Sequence, residues 1–106
     1  MPGEYSLAQN YPNPFNPSTT FRYGLPVRSS VTITVFNELG QKVADLVNSV
    51  QAAGFHDVKL DGSDLASGVY FCRLFAVPFA GTEIVFPEGK QATRSYVQTR
   101  KLLLVK

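Results

Sequence analysis

Apolar and polar residues alternate along much of this chain with a period of two, the spacing of strands half-buried on a sheet rather than of helices. From Thr19 to Leu25 the side chains of Phe21, Tyr23 and Leu25 fall on one face, and the run stops at Pro26. Val31, Ile33 and Val35 alternate with Thr32, Thr34 and Phe36 up to Asn37. Asn37-Glu38-Leu39-Gly40 then offers a turn with glycine placed for positive φ, and Lys42 to Val47 returns as the second arm of a hairpin. Phe55 to Leu60 follows Ala53-Gly54, and Asp61-Gly62-Ser63-Asp64 reverses the chain again. Val69 to Val77 is apolar on both faces apart from Arg73, the pattern of a central strand. Such runs, separated by turn chemistry at short intervals, predict an all-β chain folded as an antiparallel sandwich of about seven to eight strands.

Two stretches break the alternation. Tyr11-Pro12-Asn13-Pro14-Phe15-Asn16-Pro17 loses backbone donors at its prolines, which also keep the residues before them out of the helical region. It is expected to cross the sandwich as an irregular strap anchored by Phe15, whose burial is worth about 2 kcal/mol. Residues 1–17 are accordingly read as a lead-in and 18–106 as a single sandwich domain. Between Pro78 and Ala92 a short strand-like Thr82 to Phe86 stands among turn residues. Pro87-Glu88-Gly89-Lys90 reads as the tip of an extra hairpin that returns over Thr93 to Thr99. The chain closes with Lys101-Leu102-Leu103-Leu104-Val105-Lys106, whose lysines hold its ends in water. A closing strand near a sheet edge is expected there, with apolar surface and backbone donors open to a partner.

Composition supports strands, with eight Phe, five Tyr, no Trp, and Val and Thr recurring in the apolar runs. The 106 residues suffice for one core but not for a core plus an elaborate active site. Formal charge is only +2, yet residues 93–106 hold Arg94, Arg100, Lys101 and Lys106 and no acid. A solvated strand face explains that better than a nucleic-acid or lipid surface. No apolar run, Leu102 to Val105 included, is long enough to span a membrane, and no charged start followed by an apolar stretch opens the chain. Met1-Pro2-Gly3 reads as a cut made in a longer protein, and any export signal at the front lies elsewhere.

The candidate chemistry is sparse. His56, the single histidine, shares strand parity with Val58 and Leu60 and reads as a structural residue. Cys72 shares parity with Tyr70 and Leu74 inside the sandwich, where a thiol is a small inert hydrophobe; alone, it can form no internal disulfide. Asp61, Ser63 and Asp64 around Gly62 carry oxygens suited to calcium, but no distal Glu completes a site and ordinary turn chemistry is the stronger reading. Phosphate loops, zinc spacings and catalytic triads are missing from the sequence, so no catalytic, cofactor or metal residue is assigned. Tyr70, two residues before Cys72 and two after Gly68, matches the tyrosine corner of immunoglobulin-like sandwiches. It is expected to be buried, with its hydroxyl bonded to backbone near Asp61 to Ala66.

Four segments resemble one family. Gln9-Asn10-Tyr11-Pro12-Asn13-Pro14-Phe15-Asn16-Pro17-Ser18-Thr19-Thr20, Val35-Phe36-Asn37-Glu38-Leu39-Gly40-Gln41-Lys42-Val43, Leu65-Ala66-Ser67-Gly68-Val69-Tyr70-Phe71 and Thr99-Arg100-Lys101-Leu102-Leu103-Leu104-Val105-Lys106 are similar, in order and spacing, to the type A C-terminal sorting domain of type IX secretion. The resemblance implies an Ig-like sandwich related to the domain of the flagellar hook-capping protein. It implies a domain that ends a larger secreted cargo and is read by the outer-membrane translocon of certain Gram-negative bacteria. A sortase-like peptidase then often removes it and links the cargo to surface lipopolysaccharide. Carried over by residue, recognition would fall on Pro12, Asn13, Pro14, Gly68, Tyr70, Lys101 and Lys106, and an end at Lys106 suits a signal read from a C-terminus. The departure is Pro78 to Gln98, longer than the loop expected between the Tyr70 strand and the closing strand.

The resulting expectation is a non-catalytic sorting and surface-anchoring signal without a cofactor, carried through the periplasm to the surface. An adhesion or carbohydrate-binding sandwich is the alternative, weakened because a sugar platform without Trp would have to rest on Tyr5, Tyr11 or Tyr96. A filament or capping module is a third reading.

Overall fold

The structure, a computed structural model, describes residues 3–79, 84–85, 91–92 and 95–106. In chain order the strands are β1 (Ser6–Leu7), β2 (Ser18–Leu25), β3 (Ser29–Asn37), β4 (Lys42–Gln51), β5 (Gly54–Asp61), β6 (Gly68–Pro78), β7 (Ile84–Val85), β8 (Gln91–Ala92) and β9 (Tyr96–Leu104). One sheet has the order β1-β2-β5 and the second β4-β3-β6-β9, while β7 pairs with β8. All these pairings are antiparallel.

The period of two decides what lies between the sheets. Phe21, Tyr23 and Leu25 point inward from β2, Val31, Ile33 and Val35 from β3, Tyr70, Cys72, Leu74 and Ala76 from β6, and Leu102 and Leu104 from β9. Together with Leu7, Phe15 and Leu60 they form one core, and Cys72 is a free, buried thiol. The chain is therefore an all-β, two-sheet antiparallel sandwich that stands on packing without a disulfide.

β6 lies centrally, as expected, between β3 and β9, with Phe75 on its outer face 38% exposed. One expectation needs correction. The return arm over Thr93 to Thr99 and the closing run from Lys101 are not separate elements. Residues 96 to 104 form one strand, paired with β6 from Ala76↔Tyr96 to Gly68↔Leu104. Arg100 does not interrupt its inward parity, because its Nε reaches past the core and donates to the Leu7 carbonyl at 2.8 Å. Of the extra hairpin, the pairing of Ile84 with Ala92 and Val85 with Gln91 is described, whereas Thr82, Phe86, the tip Pro87 to Lys90 and Thr93 lie outside the described residues.

Candidate functional site

The proline segment meets the closing strand at one end of the sandwich. Tyr11 first pairs with Thr20, each N–H donating to the other's carbonyl at 3.0 Å. The chain then crosses to β9, where Phe15 N–H donates to the Leu103 carbonyl at 2.9 Å and Val105 N–H donates to the Phe15 carbonyl at 3.0 Å. Phe15 thereby acts as a short parallel strand on the edge of β9 while its ring, 1% exposed, enters the core as the expected anchor. Asn13 Oδ1 accepts the Leu103 N–H at 3.1 Å, and Gln9 Nε2 donates to the Lys101 carbonyl at 2.8 Å. The donors of Leu103 and Val105, expected to be open, are thus taken by the strap. The apolar surface is open, since the Leu103 and Val105 side chains are exposed.

Buried polar groups hold the strap in shape. Asn10 Nδ2 donates to the Pro12 carbonyl and to Thr19 Oγ1, at 3.1 and 3.0 Å, and Thr19 Oγ1 donates to the same Pro12 carbonyl at 2.8 Å. Proline cannot donate, so carbonyls in this segment need side-chain partners, and Asn10 and Thr19 supply them. The turn after β5 closes on the strap: Gly62 N–H donates to the Pro17 carbonyl at 2.7 Å. A side chain at 62 would be crowded, because an added Cβ would lie 3.0 Å from the Pro17 oxygen, 3.1 Å from Leu104 and 3.2 Å from the Phe15 ring.

The corner before β6 completes this end. Tyr70 is buried and its hydroxyl donates to the Ala66 carbonyl at 2.5 Å, the corner expected from its position. Gly68 holds φ at 154°, a conformation L side chains rarely adopt. Lys106 N–H donates to Ser67 Oγ at 3.1 Å and its Nζ to the Ser63 carbonyl at 2.6 Å. Asp61 Oδ1 accepts from the hydroxyl and the N–H of Ser63, and these bonds hold its carboxyl below the ordinary value, with smaller help from Lys59 and Lys106. Asp61 is thus committed to its turn, and among the described residues no cluster of three or more His, Cys, Asp and Glu could hold a metal ion.

All seven residues singled out from the sequence therefore lie on or beside one surface. Pro12, Asn13, Pro14, Lys101 and Lys106 are exposed, Gly68 is half-buried and Tyr70 is buried. Sequence reasoning missed β1 with Leu7, and the roles of Gln9, Asn10, Thr19 and Gly62; the amide and hydroxyl residues flanking the prolines were the available signal for the buried network. His56 stacks on Tyr23 with ring centroids 5.3 Å apart, and its Nε2 donates to the Ala52 carbonyl at 2.8 Å. Cys72 lies in the core between β3 and β9, where burial pushes its thiol up to about 12. Neither is placed for the chemistry of the other.

Residues 9–77, from the strap nearly to the end of β6, match the secretion system C-terminal sorting domain family. The chain belongs to that family. It is a type IX secretion sorting domain, the C-terminal signal of a longer secreted protein, and nothing supports the adhesion alternative. No curated protein matches the chain. Membership implies a cargo N-terminal to the sorting domain, contact with the type IX machinery, and secretion to the cell surface or the extracellular space. Sorting domains of this family are in general non-catalytic. Among the described residues no helix is long and apolar enough to cross a membrane. The match stops at residue 77, so what β9 contributes rests on its geometry.

Proposed function

We propose that the machinery reads the end of the sandwich where the strap clasps β9, through Pro12, Asn13, Pro14, Lys101 and Lys106, with Gly68 and buried Tyr70 fixing the corner that shapes it. The observation that carries this reading is the pairing of Asn13 and Phe15 with Leu103 and Val105, which joins the segment nearest the cargo to the closing strand in one rigid surface. Residues 1–17 serve as the lead-in from the cargo and 18–106 as the folded signal, in a single domain. The partners are the outer-membrane translocon, reached through the periplasm of a Gram-negative bacterium, and a sortase-like peptidase. The domain itself performs no catalysis.

The test is a fluorescent cargo fused upstream of residue 1 and expressed in a bacterium with type IX secretion. Deleting Val105 and Lys106 leaves Leu102 and Leu104 in the core, and Asn13→Ala leaves Phe15 in place, so both fusions should fold. Both should lose surface fluorescence and accumulate inside the outer membrane, whereas Lys59→Ala on the opposite sheet should be exported normally. Normal export of the deleted fusion would overturn the reading.

A further inference from the structure

The outer face of the second sheet holds a groove that the clasped end does not use. Its floor is Phe36 and Phe71, which face each other across the β3–β6 ladder, and its walls are the Asn37–Gly40 turn and the side chains of Arg73 and Thr99. The recess has a volume of about 320 Å³, and a smaller, more polar extension of about 160 Å³ runs on to Ser67 and Gly68.

The turn beside it is firmly built. Asn37 Oδ1 accepts the N–H groups of Leu39 and Gln41 at 2.9 and 3.0 Å, Asn37 N–H donates to the Gln41 carbonyl, and Gly40 N–H donates to the Asn37 carbonyl. That scaffold holds Leu39 at the rim with 82% of its surface in water. An exposed leucine held beside an aromatic floor gives the groove an apolar rim that a partner side chain can cover.

Charge selects the occupant. Arg73 lies with its guanidinium 4.8 Å over the Phe36 ring and makes no ion pair among the described residues. Stacking covers one guanidinium face and leaves the N–H edge free for a carboxylate. Lys101 stands opposite Phe71 on the same face, and neither β6 nor β9 contains an acidic residue. The acid at the groove, Glu38, reaches toward the Val69 N–H at 3.4 Å. A sugar ring would need the Phe36 face that Arg73 covers.

We propose that this groove docks an extended segment of a partner protein that carries an apolar side chain next to an acidic one. The apolar side chain packs on Phe71 and against Leu39, and the carboxylate pairs with Arg73. The groove borders the clasped end at Gly68 and Lys101 but holds its occupant through Arg73, Phe71 and Leu39, none of which the export reading uses, and it is read out by binding, so it stands or falls separately from export.

The test titrates the isotope-labelled 106-residue chain with a capped octapeptide alternating leucine and glutamate, against the same peptide with glutamine for glutamate. Backbone amide signals of residues 36–40 and 68–73 should shift with the glutamate peptide, and the glutamine peptide should bind at least about tenfold more weakly, the loss of a charge-assisted contact. Arg73→Glu should abolish binding of the glutamate peptide and favour a leucine–lysine one, with Arg73→Gln as the milder check if the reversal lowers stability. Equal affinity for the two peptides, shifts confined to other strands, concentration-dependent self-association through this face, or shifts there with oligosaccharides but not with the peptide would each overturn the proposal.

Discussion

The clasped end and the outer face of the second sheet draw apolar side chains from the same strands and treat them in opposite ways. At the clasp Phe15, Leu102 and Leu104 are each 1% exposed, whereas on the outer face Val97 is 53% and Leu103 is 39% exposed. Leu102 and Leu103 are neighbours in sequence yet belong to different surfaces, because successive strand residues point to opposite faces. The outer face of the first sheet follows a third pattern, with Arg22 paired to Asp57 and Thr20 set beside Lys59, and its one large apolar side chain, Phe55, lies under the Arg22 guanidinium. Apolar residues at the clasp thus hold the fold together, while those on the outer face of the second sheet remain available to a partner. Stability and recognition should therefore separate by strand parity.

Phe15→Ala makes the sharpest test of that separation. It empties a site enclosed by Leu104 and the Gly62 turn, and a loss of about 3–5 kcal/mol in urea unfolding is expected for a buried phenylalanine. If the change were under about 1 kcal/mol, the strap would not be part of the cooperative unit and the clasp would be a loose contact. Gly62→Ala comes next. The crowding atoms are the Pro17 carbonyl oxygen and two side chains fixed in the core, so overpacking should outweigh the entropy gained on replacing glycine and cost about 2 kcal/mol. An alanine variant as stable as the parent would mean that the turn yields to admit the methyl group.

Much of this contrast was legible in the residues. Phe21-Arg22-Tyr23 and Val31-Thr32-Ile33 announce strands because one face is buried and the other wet, so period alone fixes their register to the core. Val69 to Val77 reads as a central strand and is one, but composition cannot tell that the face carrying Phe75 is left open. β1 is only two residues long, too short for any period, and Leu7 becomes a core residue through tertiary packing alone. The clasp was half legible. Prolines declare an irregular strap and a lone phenylalanine its anchor, whereas the choice of Asn13 to meet Leu103, 90 residues away, depends on how the sheets close. The full length of β9 is not visible in its residues, because inward-facing Arg100 is held by the Leu7 carbonyl across the core edge, a partner that only the packed sheets supply.

Tyr70→Phe probes the boundary between the two regions, since Tyr70 is an inward residue whose hydroxyl ties β6 to the corner. Removing one neutral hydrogen bond while keeping the ring should cost about 1 kcal/mol, with the Ala66 carbonyl free to find water. No measurable change in thermal unfolding would mean that the corner is held by Gly68 and the closing strand alone.

The smallest effect is expected on the outer face. Val97→Thr keeps the shape and β-branching of the side chain and exchanges one methyl group for a hydroxyl on a strand position that is already more than half in water. Its denaturation midpoint should correspond to a change within about 0.5 kcal/mol, the range of ordinary surface substitutions. Threonine suits strands as well as valine does, so local propensity gives no reason for a larger loss. A cost above about 1 kcal/mol would show that this face is packed in the isolated chain, against itself or a second copy, and would break the separation by parity at its exposed end.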